Sequence, residues 1–181
     1  MVGDVLRGTA GLDIVQQGSR GSVSAVFLRG ANAHHTKVLL DGIPINDPSH
    51  PSRAFDFSNL SVDEIERIEV VRGPQSTLYG TDAVGSEVSV ITKRGEGPPT
   101  AAARFMGGSY GTNRDSARVS GGTDRYHYSL GGSFFYMDGF SAASERLGNT
   151  EDDAARIGSA SGRFGWTPTE AFDVDYVFRW T

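Results

Sequence analysis

The sequence predicts a chain in two parts. An α+β domain of short strands and short helices covers residues 1–97, and about five antiparallel strands of an incomplete transmembrane β-barrel cover residues 98–181. Three observations carry this reading. Short apolar runs in the first part are separated by glycine, proline and Asp-Gly turn signals. Past Gly95-Glu96-Gly97-Pro98-Pro99, which reads as a linker, the pattern changes to alternation with a period of two. The connections between alternating segments are short on one side and longer on the other.

Composition narrows the function classes. A length of 181 residues allows one domain or two small ones. Hydrophobic residues make up 38% and the mean hydropathy is −0.31. Soluble proteins share these values with lipid-facing barrels, where only alternate residues are apolar. No run of about 18 apolar residues exists, so no transmembrane helix is expected, and no basic-then-apolar leader opens the chain. A net charge of −5 argues against a nucleic-acid partner. The lack of cysteine excludes disulfides, thiolate zinc sites and cysteine nucleophiles.

In chain order, Val2 to Arg7 reads as the end of a helix, so an upstream segment is expected to be missing. Leu12 to Val15 is a short apolar run, Gly18 to Ser22 a loop, and Val23 to Arg29 a strand stopped by Gly30. Lys37 to Leu40, then Asp41-Gly42, then Ile43-Pro44-Ile45 form a hairpin signal, with Pro44 placed where no ladder donor is needed. Asn46 to Asn59 is a polar, proline-bearing loop too long for a simple turn. Ser61 and Glu64 fit a capping box, which predicts a short helix from Val62 to about Glu66. Two apolar runs, Ile68–Val71 and Val88–Thr92, then bracket a knot of turn residues with a helical stub over Gln75–Tyr79.

In the second part, strands are expected near 101–109, 113–121, 125–137, 154–166 and 171–181. Phe172, Val174, Tyr176, Phe178 and Trp180 share one face, and Asp173, Asp175 and Arg179 share the other. A basic residue on the lipid face at the bilayer midplane costs roughly 2–4 kcal/mol, so the aromatic face is assigned to lipid. A soluble antiparallel sandwich would also alternate; the many large outward aromatics beside Gly and Ala favour the barrel.

Four motifs invite chemistry. Gly107-Gly108-Ser109-Tyr110-Gly111 has the G-x-S-x-G form, but that elbow needs a helix after it. A polar strand follows, so a hairpin turn is expected and Ser109 is not read as a nucleophile. His34-His35 lacks a third metal ligand at suitable spacing. Asn149 to Asp153 could offer carboxylates to calcium but lacks EF-hand spacing. Arg29 and Arg72 each precede a glycine at a strand end, which suggests paired buried ionic contacts.

The stretch Ile65-Glu66-Arg67-Ile68-Glu69-Val70-Val71-Arg72-Gly73-Pro74, with Leu78-Tyr79-Gly80, Ala83, Gly85 and Val90-Ile91-Thr92-Lys93, resembles the plug domain of TonB-dependent outer-membrane receptors. Phe27-Leu28-Arg29-Gly30 and Val38 to Asn46 support it. The likeness covers residues 1 to about 95 and is closest to the cobalamin and ferric-siderophore transporters.

The resemblance implies an α+β plug with a small mixed sheet and short helices, followed by the first strands of a barrel of about 22 strands. It implies a receptor, not an enzyme, in the outer membrane of a Gram-negative bacterium. Its partners would be TonB, acting through an N-terminal segment, outer-membrane lipid, and cobalamin or a ferric siderophore. By position, the ligand contacts would be Ser19, Arg20, Asn46, Asp47, Ser49, His50 and Arg53. Arg29 and Arg72 would meet glutamates of the barrel wall. Among cobalamin-type relatives acidic loops bind calcium, which points to Asp152 and Asp153; no other cofactor is implied. A stand-alone plug-like binding or signalling module is the alternative. The chain departs from the family at Ser86-Glu87, where Gly-Val is usual, so a wet slot or a disturbed strand is expected there. It is also expected to be truncated at both ends, and unable to form a pore alone.

Overall fold

The computed structural model describes residues 1–18, 21–49, 53–73, 86–141, 148 and 152–181. The expected stub at Gln75–Tyr79, together with Ser19, Arg20, His50 and most of the loop between Asp138 and Asp153, lies outside these residues. The chain forms two compact units, Met1–Gly18 with Ser22–Thr92, and Lys93–Thr181 together with Gly21.

The first unit opens with helix α1 (Val2–Leu6), whose first-turn Asp4 takes an ion pair from the N-terminal ammonium at 3.2 Å. Strands β1 (Leu12–Gln16) and β2 (Ser24–Leu28) pair antiparallel, Leu12 opposite Leu28. Strand β3 (Thr36–Leu40) turns through Asp41-Gly42 into the two-residue β4 (Ile43–Pro44), the expected hairpin. Pro44 sits on an edge strand, where its missing N–H interrupts no ladder.

Strands β5 (Ile65–Arg72) and β6 (Ser86–Thr92) complete a mixed sheet of order β4-β3-β6-β5, in which β3 and β6 run parallel. β3 and β6 hide Val38, Leu40, Val88 and Val90 on one face. That face packs with Val2, Leu6, Leu12, Val26, Leu28, Phe57, Leu60 and Ile65 into one core.

The helix expected at Val62–Glu66 is absent. Ser61 Oγ instead donates to Asp63 Oδ2 at 2.7 Å, and Ile65 N closes a turn on Val62 O at 3.2 Å. The residues that would have continued the helix are taken into β5, because Ile65 and Arg67 pair with Thr92 and Ile91 of β6. Tertiary pairing overrides the local cap signal. A 3-10 turn at Phe57–Asn59, which the sequence did not suggest, is capped by Asp56, whose side chain accepts from Ser58 N.

The second unit is a five-stranded antiparallel sheet in sequence order: β7 (Thr100–Gly107), β8 (Asn113–Gly122), β9 (Tyr126–Met137), β10 (Ala155–Thr169) and β11 (Phe172–Trp180). Its register joins the alternating faces of the separate strands. Ala101, Val119, Leu130, Gly162 and Phe178 form one row, and Phe105, Asp115, Phe134 and Gly158 another. The aromatic face is exposed at Phe105, Phe134, Phe164, Trp166, Tyr176 and Trp180. The opposite face buries His127, Ser120 and Ser129. β10 runs past the expected end at Trp166 to Thr169, and a register shift between Trp166 and Thr169 accommodates Pro168. The G-x-S-x-G segment is the β7–β8 turn: Gly108 N donates to Thr112 O at 2.8 Å, and Tyr110 and Gly111 both take positive φ.

Candidate functional site

Two constellations concentrate polar groups, one in each unit.

In the first unit the loop after β4 is built around Asn46. Its Oδ1 accepts from Val38 N at 2.8 Å, and its Nδ2 donates to Thr36 O at 3.1 Å and Arg53 O at 3.0 Å. Both amide hydrogens are thus spent on backbone, and Asn46 pins both ends of the loop. Asp47 accepts from Ser49 N at 2.8 Å and from Ser49 Oγ at 2.6 Å, a local Asx-type turn. Arg53 stands at φ 49, a left-handed conformation. The structure therefore places Asn46, Asp47, Ser49 and Arg53 near one another after β4. We expect Asn46→Ala to destabilise the first unit by roughly 1–3 kcal/mol, since backbone groups lose their partners. Urea unfolding followed on this unit checks it, and an unchanged midpoint would refute the pinning role.

Two aspartates that the sequence reading passed over also organise this unit. Asp56 accepts from Ser24 N and Ser58 N, both at 2.9 Å, joining the 3-10 turn to β2. Asp41, read only as a turn residue, accepts from Thr92 N at 2.9 Å and from Thr92 Oγ1 at 2.6 Å. Arg29 and Arg72 are exposed, and among the described residues neither makes an ion pair. His34 and His35 stack edge-on at 4.1 Å between centroids. No group of three His, Asp or Glu side chains gathers to hold a metal among the described residues.

β6 runs undisturbed through Ser86 and Glu87. Ser86 and Thr36 hydroxyls lie 3.1 Å apart, both buried. Glu87 is 4% exposed, and its Oε2 finds no hydrogen-bond partner among the described residues. Burial pushes its carboxyl above the ordinary value, against the pull of Lys37, its partner across the parallel ladder. A raised carboxyl means that the folded state holds the proton more tightly. Its stabilising contribution is complete below the ordinary value of 4.5 and is lost as pH rises through the raised one. Glu87→Gln is therefore expected to raise the unit's Tm at pH 7, with the gain shrinking as pH falls towards 4.5. A gain that is the same at both pH values would contradict this account.

In the second unit, the polar face of the sheet carries a row at its short-turn end: Gly122, His127, Gly165 and Asp175 in register on β8, β9, β10 and β11. His127 is 5% exposed. Its ring lies over Gly165, where any Cβ would sit far inside the 3.0 Å that real Cβ atoms keep. That bare position lets His127 on β9 reach Asp175 two strands away, Nε2 to Oδ1 at 3.4 Å. Arg163 grips the same carboxylate through Nε at 3.0 Å and through Nη2. On the other side, Arg94 Nε stands 3.1–3.2 Å from the two ring nitrogens. Nothing in the sequence joined these four residues, because the row is made by strand register.

A small mixed-sheet unit followed by a continuous antiparallel sheet with an exposed aromatic face is the organisation of a plugged β-barrel receptor. Residues 1–86 match the TonB-dependent Receptor Plug Domain. The whole chain resembles three solved proteins in fold. The siderophore receptor PirA from Acinetobacter baumannii gives a TM-score of 0.74 at 24% identity, over 98% of this chain and 28% of that one. PirA from Pseudomonas aeruginosa gives 0.69 at 25% identity, over 99% and 30%. The copper transporter OprC gives 0.78 at 20% identity, over 98% and 27%. This chain thus spans less than a third of the length of each. Residues 1–86 thus resemble the plug domain of TonB-dependent receptors, and the second unit has the fold of the strands that follow it in the solved proteins. The place of this fold is the outer membrane of Gram-negative bacteria.

Proposed function

We propose that this chain is the plug and first wall strands of a receptor that imports a ferric siderophore across the outer membrane with energy delivered through TonB. The observation that carries the reading is the plug domain followed directly by a sheet whose exposed face is aromatic and whose other face is polar. The two PirA proteins are siderophore receptors, which favours that ligand class over cobalamin; OprC, of the same fold, is a copper transporter, which makes copper the competing cargo. The aromatic face would meet lipid. The contacts to ligand are assigned to Ser19, Arg20, Asp47, Ser49, His50 and Arg53, with Asn46 tied to backbone beside Asp47 and Arg53. Arg29 and Arg72, exposed at their strand ends, are assigned to acidic groups of the wall. Calcium at Asp152 and Asp153 would need further ligands from residues 142–151.

The test is uptake in a receptor-deficient Gram-negative strain that expresses the intact protein, with TonB present or deleted. Uptake of iron from a panel of ferric siderophores that disappears without TonB is the expected result. TonB-independent uptake, or uptake of copper or cobalamin alone, would overturn it.

A further inference from the structure

The segment that follows the plug, Lys93 to Pro99, belongs to the second unit. Four contacts hold it there. Arg94 meets the ring of His127, which is itself braced by Asp175, a carboxylate that Arg163 holds in turn. Gly95 lies directly on bare backbone: a Cβ there would collide with Tyr128 O and fall 2.5 Å from Gly121 O. Gly97 O accepts from Gly122 N at 2.9 Å, and a Cβ on Gly121 would come within 3.1 Å of Pro99 Cα. Glycine at 95 and 121 is what lets two backbones approach this closely. On the plug side, Thr92 is tied separately to Asp41. One residue, Lys93, separates the two sets of ties.

We propose that Arg94–Pro99 is a strap fixed to the five-stranded sheet, so that unfolding of the plug stops at Lys93 and the strap stays on the wall. A connection of glycines and prolines would ordinarily pass for slack between two bodies. Here the glycines serve close contact, and the slack is absent. The consequence is a fixed end for the plug: whatever pulls or loosens it from its N-terminal side works against a point held by the wall. This inference stands on contacts within the second unit and does not depend on the identity of the ligand or on TonB.

Hydrogen exchange on the intact protein in detergent micelles tests it. Urea is raised until the amides of β6, Val88 and Val90 among them, exchange freely. The Gly122 amide, which donates to the strap, is expected to remain protected at that concentration. In Gly95→Val the strap is lifted, and Gly122 should lose its protection while amides of β9 and β10 keep theirs. Heat-resistant mobility on a gel reports whether that variant folds; if it does not, Arg94→Ala, which introduces no clash, takes its place and should weaken Gly122 protection in the same selective way. The proposal fails if Gly122 opens together with β6 in the unmodified protein. It fails equally if Gly122 keeps full protection in every variant that folds.

Discussion

Replacing Gly165 by alanine is expected to displace the His127 ring and break the row that links Arg94, His127, Asp175 and Arg163. The added methyl has no room, because the ring occupies its place. The neighbour that must move is a buried side chain with polar partners on both sides. Overpacking of this kind costs roughly 1–3 kcal/mol. Urea unfolding of the intact protein reads the loss, and the decisive comparison is a double-mutant cycle. If steric conflict with the ring is the cause, His127→Ala in the Gly165→Ala background recovers much of the stability, with a coupling of roughly 1–3 kcal/mol. Strict additivity of the two changes would sink the explanation.

Phe57→Ala is expected to have the largest effect in the plug, about 3–5 kcal/mol. Phe57 is 1% exposed, packs edge-on against Phe55 at 4.8 Å between centroids, and belongs to the one core cluster. The 3-10 turn that presents it is held at both ends. Asp56 caps its start, and Leu60 O accepts from Val2 N at 2.9 Å, which seats α1 over the turn. These ties limit collapse around the cavity, so the upper part of the range is expected. A loss below about 1 kcal/mol in urea unfolding, with the slope unchanged, would show that the site relaxes instead.

The parts of the fold that were legible in the sequence are those where local pattern and tertiary demand agree. Alternation along β8 to β11 is a property of each strand alone, and the register merely joins faces that were already sorted. Asp41-Gly42 forms its hairpin because both residues accept positive φ, as they do here. The capping box at Ser61 failed for the opposite reason: β6 offers Ile65 and Arg67 a ladder, which outweighs a marginal short helix. Of the expected ligand contacts, the described residues around Asn46 lie close together, yet no pattern of residues signalled that Asn46 itself is consumed by backbone. The His127 row was illegible because Gly165 contributes by lacking a side chain, and a glycine's silence means something only once its neighbours are known.

The tie between Asp41 and Thr92 bears on the order in which the plug comes into being. The two residues are 51 positions apart, and the parallel pairing of β3 with β6 spans a similar distance. Strand β3, at the centre of the sheet, stays open along one edge until β6 is in hand. Closing so long a loop is unfavourable until its contacts repay it. The emerging chain therefore carries an unpaired apolar strand through most of the plug's synthesis and export, the state in which edge pairing between molecules begins. Asp41 closes that interval by tying down β6, the last strand of the sheet in chain order.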